Sequence, residues 1–81
     1  MSESYNPRLQ ALIFEVVDYQ IRDGNPPETK VTYERLKASG YTDIEIKKKI
    51  GGLVLSHLYD MLRDLVPMDI EKYVRDLKSL K

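Results

Sequence analysis

His57 is the chain's single histidine, and no cysteine accompanies it. A lone imidazole could serve as a base or as a metal ligand, so its neighbours decide which chemistry is open to it. A structural zinc site needs about four nitrogen or sulfur ligands, which one histidine without cysteines does not supply within a monomer. A carboxylate-bridged di-metal site would need Glu three residues before the histidine, and Val54 stands there. Ser56 and His57 are adjacent, but neighbours on a helix diverge by about 100° and do not make a nucleophile–base pair. Gly51-Gly52 lacks the spacing of a phosphate-binding loop. These residues predict a buried, hydrogen-bonded core histidine, with Asp60 and Met61 at its next-turn positions. They predict a non-enzymatic protein with no cofactor, no metal and no catalytic residue.

The second chemistry on offer is electrostatic. Lysine plus arginine number 13, as do aspartate plus glutamate, so the formal net charge is zero. That balance disfavours a globally basic nucleic-acid binder. The charges are nevertheless unevenly spread: residues 1–29 carry an acidic excess and residues 30–50 a basic one. Lys30, Arg35, Lys37, Lys47, Lys48 and Lys49 are the candidate phosphate contacts of a helix–turn–helix reading. Against it, Asp43 and Glu45 open the would-be reading helix, and that helix lacks Arg, Asn and Gln in its first two turns. Three consecutive lysines also point in three directions. A solvated face is therefore the preferred reading, and a nucleic-acid module is the alternative.

The elements that carry these residues are well punctuated. Asn6-Pro7 reads as a cap followed by proline at the first helical position. Apolar residues then recur at helical spacing from Leu9 to Ile21, and Gly24 supplies a stop. Asn25 is expected to cap a short second helix with Glu28 reaching back to it, and Gly40 ends that helix. Thr42 and Glu45 form a capping box, with Tyr41 and Ile46 as its hydrophobic staple. The third helix runs from about Asp43 to about Leu65, where Pro67 breaks it. Asp69 caps a fourth helix holding Ile70, Tyr73, Val74, Leu77 and Leu80. The expected fold is all-α: one compact bundle of four helices with short loops over residues 6–81, preceded by a flexible N-terminus at 1–5.

Two helices carry more apolar surface than one buried stripe requires. On the first, the residues from Leu9 to Ile21 cover an arc of roughly 220° where about 100° would suffice. On the third, the second half is apolar on most sides. Excess of this kind is covered when the helix is central and touches helices on both sides, or part of it is left as a surface for protein–protein contact, including a homodimer. Phe14, Tyr19, Ile21 and Met61 are the candidate interface residues. Gly51 falls inside the apolar arc of the third helix, and the expected reason is the close approach of another helix.

Asn25-Pro26-Pro27-Glu28, Arg35-Leu36 before Gly40-Tyr41, Ile50-Gly51 and Tyr59-Asp60-Met61-Leu62 together resemble a recurring pattern in small all-helical bacterial proteins. The closing Tyr73-Val74-x-x-Leu77 is similar too, so the resemblance covers residues 25–77. It implies the helical fold and a bacterial cytoplasmic setting, and it carries no assigned activity and no site residue. The Leu36 to Tyr41 turn also resembles the binding loop of ubiquitin-associated domains, which would imply protein binding, although Ser39 takes the place of that loop's methionine. No apolar run approaches the roughly 20 residues of a membrane span, and Met1–Tyr5 lacks the basic and apolar regions of a signal peptide. A cytoplasmic protein is therefore expected.

Overall fold

The computed structural model describes residues 7–81; the expected Asn6 cap and the flexible 1–5 segment lie outside them. Four helices follow one another: α1 over Pro7–Asp23, α2 over Pro27–Ala38, α3 over Asp43–Asp64 and α4 over Ile70–Ser79. No strand occurs among the described residues. The fold is an all-α bundle. α1 packs on α2 and α3, and α4 packs on the same two helices from elsewhere.

Local chemistry explains most of the boundaries. Thr42 Oγ1 accepts from the Glu45 N–H at 3.2 Å while Glu45 Oε1 accepts from the Thr42 N–H at 2.8 Å, so the capping box is complete. Asp69 accepts from the Lys72 N–H and starts α4. Gly24 and Gly40 end α1 and α2 with positive φ, a conformation that costs glycine little. The start of α2 differs from expectation. Pro26, not Asn25, occupies the cap position, and no side chain caps the helix. Pro27 is the first helical residue and has no N–H to satisfy. The helix thus begins one residue later than the Asn25 cap would require, which moves Glu28 out of reach-back register. α3 ends on Leu65, whose φ of 57° is left-handed, an unusual conformation for a residue with a branched side chain.

The core draws Ile13 and Val17 from α1, Leu36 from α2, Ile46, Ile50 and Val54 from α3, and Tyr73 and Leu77 from α4. At Gly51 a side chain of α1 packs directly on the backbone of α3. A Cβ there would lie 2.8 Å from Ile13 Cγ2, whereas one on Gly52 would meet nothing within 4 Å. The close approach expected at Gly51 is present, with Ile13 as the knob. A polar layer runs beside this apolar core. The Gln20 side-chain oxygen accepts from Thr29 Oγ1 at 2.9 Å and from the Tyr73 hydroxyl at 2.8 Å, bridging α1, α2 and α4. Thr32 Oγ1 donates to the Leu77 carbonyl. Burial raises the affinity of the Tyr73 hydroxyl for its proton, which keeps it a donor.

Candidate functional site

The sequence offers three places for function, and each now has a geometry. The first surrounds His57, which is only 5% exposed. Its Nε2 lies 2.8 Å from Asp76 Oδ2 on α4, and its ring meets Tyr73 edge-on with centroids 5.4 Å apart. The histidine is a buried core residue, as its position on the apolar side of α3 implied. Its partner is Asp76 across the bundle, and not the next-turn Asp60. Ser56 faces solvent. A cleft of about 250 Å³ opens beside the ring, lined among others by Asp60, Met61, Met68 and Lys72. Among the described residues, no group of three or more His, Cys, Asp or Glu could hold a metal ion. What the pair visibly does is pin α4 to α3.

The second place is the basic segment. Lys47 Nζ lies 2.6 Å from Asp18 and 3.1 Å from Asp43. The Tyr33 hydroxyl donates to Asp43 at 2.6 Å. This cluster ties α1, α2 and α3 together. The Tyr33 hydroxyl, aided by Lys47, holds the Asp43 carboxyl below its usual range, and Asp18 and Asp43 hold the Lys47 ammonium above its own. Arg35 donates to the carbonyls of Leu80 at 2.7 Å and Leu77 at 3.0 Å. It thereby supplies charge and donors to the C-terminus of α4, where both are favourable. Lys49 Nζ sits 4.7 Å above the Tyr41 ring. Lys30, Lys37 and Lys48 are exposed. Half of the six candidate phosphate contacts are thus engaged in holding the bundle together.

The third place is apolar surface. Leu12, Val16 and Tyr19 on α1 are 56%, 40% and 49% exposed. Their spacing of four and three residues puts them on one face of the helix, away from Ile13 and Val17. The Arg22 guanidinium lies 5.9 Å from the Tyr19 ring. A second group, Tyr59, Leu62, Leu65, Val66 and Ile70, is exposed around the end of α3 and the start of α4.

The four candidate interface residues do not form one patch. Tyr19 lies about 140° around the helix from Phe14, on the exposed face. Phe14 and Ile21 share the opposite flank and are half-buried, and Ile21 packs against the core. Met61 is half-buried in the cleft beside His57. The exposed α1 face is carried instead by Leu12 and Val16 beside Tyr19. Both belong to the apolar arc, but the arc is wider than the core it feeds. Which edge is surplus depends on where α2 and α3 sit.

Gln20, Thr29 and Thr32 of the polar layer, and Asp76 beside His57, did not figure among the candidates. Gln20 was traceable, because it falls three residues after Val17 and seven after Ile13 on the buried face. The other three carry no such local mark. No family model matches the chain, and no curated protein or solved structure matches it either.

Proposed function

We propose that this is a small non-enzymatic helical protein of the bacterial cytoplasm that acts by protein–protein contact through the outer face of α1. One observation carries the reading. Leu12, Val16 and Tyr19 stand half exposed in a row on a helix whose neighbouring flank, through Ile13 and Val17, supplies the core. Rows of large apolar side chains at helical spacing, left open on a soluble domain, mark contact surfaces. The bacterial cytoplasmic setting rests on the resemblance of residues 25–77, and no helix is long and apolar enough to cross a membrane among the described residues.

The test places a photoreactive amino acid at position 19 and, in a second chain, at position 48 in the basic segment. Irradiation in bacterial cells should give protein adducts from position 19 and none from position 48. No adduct from position 19 would overturn the reading. Adducts to nucleic acid from position 48 would shift the function to the basic segment, whose binding must then weaken steeply with salt.

A further inference from the structure

We infer that the cleft beside His57 is a binding site for a soft monovalent metal ion, Cu(I), held by His57 Nδ1 and the thioether sulfurs of Met61 and Met68. Structural zinc needs a set of nitrogen or thiolate ligands that this chain lacks. Cu(I) also takes thioethers, and the cleft brings two of them to the one imidazole.

The first ligand is set by Asp76. An ionised carboxylate only accepts hydrogen bonds, so in the neutral ring the Nε2 that meets Asp76 at 2.8 Å carries the proton and donates it. Nδ1 then holds the lone pair. It has no partner among the described residues, although every fully buried side-chain nitrogen and oxygen there has one. Nδ1 therefore keeps an opening, and the ring lines the cleft. A metal-ligating histidine commonly donates its other N–H to a carboxylate, which fixes the tautomer and orients the ring. His57 has that arrangement before any ligand arrives, held at 5% exposure and edge-on to Tyr73.

The sulfurs come from two elements. Met61 follows His57 by four residues, which sets their Cβ atoms about 5–6 Å apart on one face of α3. Helical side chains lean toward the N-terminus, so Met61 reaches back over the turn that carries His57. Met68, from the connection between α3 and α4, lines the same cleft and packs against the core. Both methionines are half-buried, and their flexible side chains can swing the sulfur onto an ion. The carboxylates at the cleft are already engaged. Asp60 and Asp64 hold Arg63 at 3.2 and 3.1 Å, and Asp69 caps α4. Lys72 lines the cleft as well, so the rim sets three carboxylates against two cations and carries no net positive charge. The donors left open are one imidazole nitrogen and two thioethers, a set that selects Cu(I) over hard divalent ions.

Silver(I), a redox-inert ion of the same charge and softness, is the probe, added to the full chain. Calorimetric titration should give one ion per chain. In NMR spectra, His57 Nδ1 and the methyl groups of Met61 and Met68 should shift, while Nε2 keeps its proton. Met61→Leu and Met68→Leu conserve volume and apolarity, and each should weaken binding about tenfold or more by removing one soft ligand. Asp76→Asn should weaken it about 10–100-fold, as for other groups that orient a ligating histidine. Competition with a Cu(I) chelator under reducing conditions should rank the variants in the same order.

Failure to bind Ag(I), or binding that survives the two leucine substitutions together, would overturn the site. A shift at Nε2 in place of Nδ1 would overturn the ligand geometry, and displacement of Ag(I) by Zn(II) would overturn the choice of a soft ion. Circular dichroism of each variant separates loss of binding from loss of fold, and the leucine variants decide the matter should Asp76→Asn fail to fold.

Discussion

Gly51 and Gly52 are neighbours in the same helix, and the structure predicts opposite outcomes for the same substitution. Alanine in place of a helical glycine stabilises by about 1 kcal/mol through backbone entropy. At Gly52 nothing lies within 4 Å of the added methyl group, so Gly52→Ala should gain that amount in full. At Gly51 the methyl group would stand 2.8 Å from Ile13 Cγ2. Ordinary contact begins near 3.4 Å. Ile13 is buried and β-branched, with one strongly preferred χ1 rotamer in a helix. Its Cγ2 is bonded directly to Cβ, so it moves only if the side chain leaves that rotamer or α1 shifts. Overpacking of this kind typically costs about 1–3 kcal/mol. Against the propensity gain, Gly51→Ala should lose about 1 kcal/mol net.

Urea and thermal unfolding followed by circular dichroism read both variants. Their melting temperatures should differ by about 8–16 °C, since about 1 kcal/mol moves a domain of this size by about 4–8 °C. A double-mutant cycle checks the cause. Ile13→Ala alone should cost about 2–5 kcal/mol, and it should cost less in the Gly51→Ala background, because the clash is already relieved. If Gly51→Ala gains as much as Gly52→Ala, the contact between α1 and α3 is looser than described and the knob-in-hole account fails.

Asp76→Ala should destabilise by about 1–3 kcal/mol, as it strips the buried His57 of its partner; a change within error of zero in urea titrations would show that the pair does not hold α4. Tyr33→Phe should be less stable than the parent at neutral pH. Because Tyr33 and Lys47 lower the folded-state pKa of Asp43, this contribution is complete above about pH 4 and fades as pH falls through the folded value. The gap between the two proteins should therefore close in acid, and a gap that persists at low pH would assign the loss to packing. Leu65→Gly should raise stability by up to about 1 kcal/mol, since Leu65 is exposed and left-handed; a fall in melting temperature would contradict this.

Local rules reach as far as a helix and its ends. The Thr42–Glu45 box, the Asp69 cap and the glycine stops are contacts within a few residues, so sequence alone determined where α3 and α4 begin and where α1 and α2 end. The apolar register likewise determined that the fold is all-α and that His57 faces inward. The start of α2 escaped by one residue because two consecutive prolines compete for the same boundary, and only the backbone path chose between them.

Tertiary structure decided what each face meets. Asp76 reaches His57 from another helix, and Gln20 gathers donors from α2 and α4. Arg35 and Lys47 look like surface charges in sequence but are held by carbonyls and carboxylates brought from elsewhere in the chain. The same holds for the α1 arc. Its breadth was visible in the residues, but helical periodicity does not rank its two edges. The positions of α2 and α3 turned Ile21 toward the core and left Leu12, Val16 and Tyr19 outside it. Periodicity describes a single helix, whereas burial depends on which other helices arrive and from which side.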